Sequence, residues 1–466
     1  MAMGRRPKQS QGQLWVESRH LARGPGHPFY SRLNEILSQY DFDSFVESLS
    51  QRFYAARKGR PSLPPPVYFR LLLIGYFEGI DSERGIAWRV ADSLTLRDFL
   101  GYGATQMPPD HSTISRNRRL IDVQTHQEVF TWVLGVLAKE DLLRGKTLGI
   151  DATTLEANAA LRSIVRRDTG ESYQEFLVSL AKVSGIETPT REDLARLDRK
   201  RAKKGSNQDW KHPHDPDAKI TKMKDGRTHL AHKAEHAVDM ETGAIVGVTL
   251  QPGDRGDTAS IEATLEEAMG ELADVAEDAA AAEGLSDEML AEVVADKGYH
   301  SNAVLAARAR LGIRTYISEP KRGRRNWKGQ SEAKKAVYAN RRRLRGRRGK
   351  DLLRHRGELI ERSFAHCYET GGMRRTHLRG HRNILKRLLV HIAGFNLSLV
   401  MRRRFGIGKP RLLQGLAVAL ARLLSSILQR MLPLWSALRG CWTIFSSRNT
   451  RPVLWAQCSW KFGLSC

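Results

Sequence analysis

Two short apolar runs, residues 146–151 (KTLGID) and 292–296 (EVVAD), each close on a carboxylate. They are too short for helices and turn residues bound them, so they read as buried strands. A charge that closes a buried run is costly unless something satisfies it. In an open α/β sheet, the carboxyl ends of strands are also where ligands bind. Between the two runs, residues 228–239 (THLAHKAEHAVD) alternate like a strand, residues 240–243 form a turn, and residues 244–251 (AIVGVTLQ) read as a second strand. Together they predict a hairpin. An Ala- and Glu-rich helix over 257–282, a helix over 302–311 and a strand over 314–318 complete the series. The order is mixed α/β, with the antiparallel strands first.

Upstream, the period changes to that of helices. Leu33, Ile36, Leu37 and Tyr40 are followed at helical spacing by Phe42, Phe45, Val46 and Leu49. Residues 62–66 (SLPPP) interrupt the pattern, and a helix over 67–77 ends at Gly79. Short helices are expected over 82–90 and 93–100. Residues 110–120 (DHSTISRNRRL) then run into a helix carrying Val129, Phe130, Val133 and Leu137, with Asp110 or Ser112 as the N-cap. The expected organisation is a flexible basic lead-in over 1–30, a helical domain over 31–140, an α/β domain over 141–400 and a basic, apolar tail over 401–466. The α/β domain should carry a mostly helical insertion at about 161–226 and a basic segment at 319–350, with a last helix starting near 351.

Charge narrows the partner. The chain has a formal net charge of +25. Residues 1–318 sum to −3 and 319–350 to +12, and residues 370–466 carry 17 Lys or Arg with no acid. A surplus concentrated in one third of the chain argues against an enzyme of small acidic molecules and for contact with a polyanion backbone. Cys367, Cys441, Cys458 and Cys466 show no paired spacing, so neither a zinc site nor a disulfide framework is expected, and a reducing cytoplasm fits. The first residues, MAMGRRPKQSQGQLW, lack the apolar core of a signal peptide, and apolar stretches such as 71–77 and 416–421 are too short to span a bilayer. No membrane partner is expected.

If the strands ending in Asp151 and Asp296 are neighbours, their carboxylates converge and repel, and a divalent cation resolves the conflict. Oxygen-only ligands favour Mg²⁺ or Mn²⁺ over Zn²⁺. A third acid, Glu361, lies in residues 356–366 (RGELIERSFAH) beside the apolar face of the last helix, and Glu358 is its rival. His212, His214, His229, His232 and His236 are numerous, but they fall on an expected strand and its approach, and zinc binding is not the favoured reading. Ser112, Thr113, Ser115, Arg116, Arg118 and Arg119 share one helix, where hydroxyls approach phosphates and Arg reads guanine edges. The basic block, with Arg324, Arg325, Trp327 and Tyr338, is suited to following a DNA strand and stacking a base. Its plain alternative is a disordered basic linker.

GIDATTLEANA at 149–159, VVADKGYHS at 293–301 and ELIERSFAHCYETGGMRRTHLRG at 358–380 resemble the three acidic motifs of DDE transposases from bacterial insertion sequences. Residues 229–254 are similar to the hairpin between those motifs, and 110–121 to the family's N-terminal helical DNA-binding module. The resemblance covers about residues 30–405. It implies an RNase-H-like mixed-sheet core, with Asp151, Asp296 and Glu361 as catalytic acids holding two Mg²⁺ (or Mn²⁺) ions and Asp151 bridging them. It also implies double-stranded DNA as the partner, dimerisation on DNA, and strand cleavage followed by strand transfer. A nuclease without strand transfer, or a DNA-binding protein without catalysis, are the alternatives. One departure stands out: many relatives carry Lys or Arg seven residues after the Glu, where this chain has Tyr368, leaving Arg362 and Arg374 as substitutes.

Overall fold

The structure, a computed structural model, describes residues 27–55, 62–103, 106–201, 205–223, 226–321, 323 and 325–410. Arg324, the lead-in to residue 26 and the tail from 411 lie outside the described residues. Seven helices come first: α1 (Pro28–Gln39), α2 (Phe42–Ser50), α3 (Pro65–Glu78), α4 (Glu83–Ala91), α5 (Leu94–Phe99), α6 (His111–Leu120) and α7 (Val123–Lys139). Local chemistry sets their ends. Ser82, Ser93, Asp110 and Asp122 each cap a helix, accepting hydrogen bonds from the backbone N–H of Gly85, Leu96, Ser112 and Thr125. The helix expected to run on from residue 110 is in fact two, because Asp122 starts a new one.

The sheet comprises β1 (Thr147–Glu156), β4 (Lys219–Lys222), β5 (Thr228–Asp239), β6 (Ile245–Pro252), β7 (Glu292–Ala295) and β8 (Arg314–Ile317). β6, β5, β1, β7 and β8 lie side by side. β5 is antiparallel to β1 and β6, whereas β7 and β8 run parallel to β1. This is the RNase-H-like order. Between β1 and β4, a two-stranded pair, β2 (Val165–Arg166) and β3 (Trp210–Lys211), brackets α8 (Tyr173–Val183) and α9 (Arg191–Lys200). Trp210 packs on Tyr173 and Phe176 and joins this insertion to Ala157 and Leu230 of the sheet region. α10 (Asp257–Ala276), α11 (Ala279–Ala282) and α12 (Asn302–Arg310) complete one side, and α13 (Ser331–Arg345) and α14 (Arg347–Phe364) follow β8. From Ser331 on, the basic segment is helical, so the alternative of a disordered linker does not hold there. Glu319 pairs with both Arg325 and Arg341, and Trp327 packs on Tyr338 with ring centroids 6.2 Å apart.

α15 (His381–Phe405) is long and apolar enough to cross a membrane, but 89% of its most apolar window is buried inside the protein. It packs against α3, α7 and β6, so the N-terminal helices and the sheet share a core. A Cβ on Gly394 would lie 2.5 Å from the Tyr76 ring, so only glycine allows α15 to approach α3 this closely. Polar anchors fix the helix. Lys386 Nζ donates to the carbonyls of Arg118 (2.8 Å) and Ile121 (2.6 Å), and Arg387 donates to the carbonyl of Ile80 (2.8 Å).

A buried asparagine bonds the outer edge of each of two outer strands, β6 and β8. Asn396 of α15 accepts from Ile245 N (3.0 Å) and donates to Ile245 O (2.8 Å) on β6. Asn340 of α13 makes the same pair of bonds with Ile317 on β8, at 3.0 and 2.8 Å. Each side chain completes the ladder that an edge strand would otherwise leave open. Asn396→Leu, which strands one buried N–H and one buried C=O, should lower stability by about 2–4 kcal/mol. The urea midpoint measures this, and a change below about 0.5 kcal/mol would refute the role.

Candidate active site

β1 is longer than the sequence pattern indicates. The run was expected to end at Asp151, yet the strand continues to Glu156 because β5 pairs with it from Leu148 to Glu156. β7 pairs with it only as far as Ile150, opposite Ala295. Asp151 therefore emerges where β1 outgrows its parallel neighbour, and Asp296 stands one step beyond the last rung on that neighbour. Neighbouring strands lie about 4.8 Å apart, so the two acids end adjacent strands, near enough for the charge of Asp296 to act on Asp151.

Their surroundings are polar but tightly assigned. Asp151 Oδ1 accepts from Ala152 N at 2.8 Å, and Asp296 Oδ1 accepts from Gly298 N at 2.7 Å. Asp151 Oδ2 accepts from Arg356 Nη1 of α14, also at 2.8 Å. Burial pushes the Asp151 carboxyl above its ordinary value, Arg356 opposes this, and the charge of Asp296 adds to the upward push. Gly298 has no room for a side chain: a Cβ there would lie 2.3 Å from Asp257 Oδ2 and 3.0 Å from Asp296 Oδ1.

The third acid lies in the adjoining groove. Glu361 lines a cavity of about 570 Å³ with Thr153, Thr154, His229, Phe364 and Arg374. Glu358, its rival, is taken up by Arg362 at 2.8 Å. Among the described residues, no three of His, Cys, Asp or Glu stand close enough to hold a metal ion. The three acids expected from the sequence therefore do not form such a cluster as they stand among the described residues. Asp151 and Asp296 are adjacent, while Glu361 faces the groove beyond them and a guanidinium occupies the free oxygen of Asp151. The donor set still suits a hard divalent cation, being carboxylate oxygens beside a position that already holds positive charge.

The other expected residues separate by face. On α6, Ser112, Arg116 and Arg119 are exposed, whereas Thr113 and Ser115 are half-buried. Arg118 turns inward, ion-pairs with Glu83 at 2.7 Å and donates to Asn383. It holds α6 against α4 and α15. Arg325 is drawn to Glu319 and lies over Trp327. Arg374, by contrast, reaches the groove, donating to Thr153 Oγ1 (3.0 Å) and pairing with Glu369. Tyr368 is buried because the chain widens into a π-helical turn over Ala365–Thr370. There it meets His236 Nε2 at 2.5 Å, while Ser363 Oγ meets His236 Nδ1 at 3.1 Å. Among the expected histidines, His232 is buried against Asp215 (3.3 Å) and His236 against α14, so these two are structural.

Sequence reasoning missed the support on the opposite face of the sheet. Glu235 is fully buried and accepts from Ser260 Oγ (2.6 Å), Thr264 Oγ1 (2.5 Å) and Tyr299 OH (2.7 Å). Lys233 donates to Asp257 (2.6 Å) and Ser260 (2.8 Å). A buried carboxylate is costly without such partners, and here every donor comes from an element flanking the acids. Strand alternation was the available signal, since Lys233 and Glu235 interrupt the apolar face of β5.

Against known families, residues 207–397 match the model described as "Transposase DDE domain", and residues 19–120 match "Transposase domain (DUF772)". Asp296 and Glu361 fall within the first match, whereas Asp151 lies outside both. No curated protein and no solved structure matches the chain significantly. The RNase-H-like sheet order agrees with the first of these matches. Residues 207–397 thus carry a DDE-type transposase domain and residues 19–120 a transposase-associated domain, which together match a DDE transposase of an insertion sequence.

His126 and His236 are buried, and burial depresses both to about 3. Unfolding returns them to about 6.5, so the unfolded state gains protons as pH falls. Their stabilising contribution is complete above about pH 6.5 and declines as pH falls toward 3. Each should cost about 2 kcal/mol by pH 5. Urea melts at pH 7 and pH 5 measure the combined loss, and His236→Gln should reduce it; a pH-independent midpoint would contradict this.

Proposed function

We propose that this transposase binds the terminal repeats of its element as double-stranded DNA. It then cuts and joins DNA strands in a reaction dependent on Mg²⁺ or Mn²⁺. The observation that supports the reading is that Asp151 and Asp296 follow the last paired residues of adjacent parallel strands, with Glu361 lining a groove that also holds Thr153 and Thr154 of β1. Asp151, Asp296 and Glu361 would hold the cations. Bound divalent ions supply Lewis acidity at the phosphoryl centre and lower the pKa of an attacking water.

The chain's own residues do the rest. The fixed sheet register holds the two aspartates in place, and their backbone N–H bonds set the orientation of each carboxylate. Thr153, Thr154, His229 and Arg374 offer hydroxyl, imidazole and guanidinium groups along the groove, a donor set suited to a phosphate backbone. Water activated there would cut a strand, and the freed 3′-hydroxyl would attack target DNA. Ser112, Arg116 and Arg119 form the exposed face of α6 for contact with the element ends. Thr113, Ser115, Arg325, Trp327 and Arg362 are secondary contributors. The reaction joins two ends, which favours a dimer on DNA, and its substrate places the protein at the bacterial nucleoid.

Asp151→Asn, Asp296→Asn and Glu361→Gln should each reduce metal-dependent nicking of supercoiled plasmid by about 10³-fold or more while the fold is retained. Equal nicking by Glu361→Gln and wild type would remove Glu361 from the set. Joining of a labelled element end to target DNA distinguishes a transposase from a simple nuclease. For α6, replacing Arg116 and Arg119 together with Ala should weaken DNA binding and lower the slope of log affinity against log salt by about 2. An unchanged slope would move the interface elsewhere.

A further inference from the structure

The Arg356–Asp151 ion pair is built into the fold. The two residues are 205 positions apart, and α14, which delivers Arg356, is held at both ends. Near its start Arg348 bonds Glu292, a buried acid that also accepts from Thr147 Oγ1 and Tyr316 OH. Near its end Ser363 meets His236, the residue paired with Asp151 across the β1–β5 ladder. The Arg356 side chain passes Gly149, where a Cβ would clash with Met240 Sδ at 2.5 Å but stand in ordinary contact with Arg356 Cγ at 3.5 Å. Arg356 thus crosses β1 at a position without a side chain and ends on the one Asp151 oxygen not bound to Ala152 N. Its side chain is 15% exposed, and its Nε, fully buried, has no hydrogen-bond partner among the described residues. The guanidinium is held by this carboxylate rather than by a network of its own.

We propose that Arg356 is a resident counter-ion that occupies the Asp151 oxygen in the ion-free protein and must be displaced before a divalent cation binds there. This rests on the reading of Asp151 and Asp296 as cation ligands. Two adjacent carboxylates repel, and something positive must stand between them and the rest of the protein. Arg356 meets that need without metal, so loading is an exchange of one positive charge for another. The residue is a positioning group for Asp151 and sets how much free cation the site requires.

Mn²⁺ alone is the probe, titrated into the full-length chain and followed by electron paramagnetic resonance of the free ion. Arg356→Gln should bind Mn²⁺ at least about 10-fold more tightly than wild type, since the competing charge is gone. In EDTA the same variant should melt below wild type, and Mn²⁺ should raise its melting temperature more than it raises that of wild type. Arg356→Lys, which keeps the charge on a shorter fork-free side chain, should fall between them, and it serves if the Gln variant does not fold. Asp151→Asn should remove the tight site in either background. Unchanged or weaker Mn²⁺ binding by folded Arg356→Gln, with wild type still nicking DNA in a Mn²⁺- and Asp151-dependent way, overturns this inference alone. No Asp151-dependent Mn²⁺ binding in any of these proteins overturns the reading of the acids as well.

Discussion

The parallel pairing of β1 with β7 is the constraint on which the site depends, because it sets the half-buried carboxylates of Asp151 and Asp296 at the ends of adjacent strands. That pairing runs through Ile150 and Ala295 and ends one residue before each acid, and the charge of Asp296 adds to the cost of burying Asp151. The cost is met by backbone N–H groups of Ala152 and Gly298 and by Arg356 of α14. On the opposite face, Glu235 and Lys233 sit among hydroxyls of α10 and Tyr299. The buried charges on both faces of β5 and β1 are therefore compensated within a few residues of the acids. A site of this kind is rigid because every group that neutralises it also packs an element in place.

α15 links this site to the rest of the chain. Its apolar body fills the space between α3, α7 and β6, and its polar residues satisfy backbone groups at the ends of neighbouring elements. Through Arg118 and Asn383 it also touches α6, the helix with the exposed Ser112, Arg116 and Arg119 face. The helical module and the sheet are thus joined by packing, and the orientation of α6 relative to the paired acids is set by buried contacts rather than by a loose linker.

The local features were legible in the sequence. Period-two alternation marks β5 and β6, and the apolar runs before Asp151 and Asp296 mark the two central strands. Asp110 and the prolines at the start of α3 mark helix starts. The resemblance of the three acidic motifs supplied the sheet order and the acids together. Less legible was everything that depends on partners far along the chain. Asp151 looked like a strand end because nothing nearby announces that β5 continues the pairing to Glu156. Arg118 looked like a DNA contact because Glu83 and Asn383 are invisible from its own helix. Tyr368 looked like a missing cation, and only the π-helical turn shows it packed against His236.

The sequence by itself determined which segments are helix or strand and where carboxylates punctuate them, because those preferences act over a few neighbouring residues. Only the tertiary structure decided which charges face inward, that Arg356 rests on Asp151, and that Glu361 looks into a groove beside the aspartates. Electrostatic partners here are chosen by distance in space, and packing between elements hundreds of residues apart sets that distance.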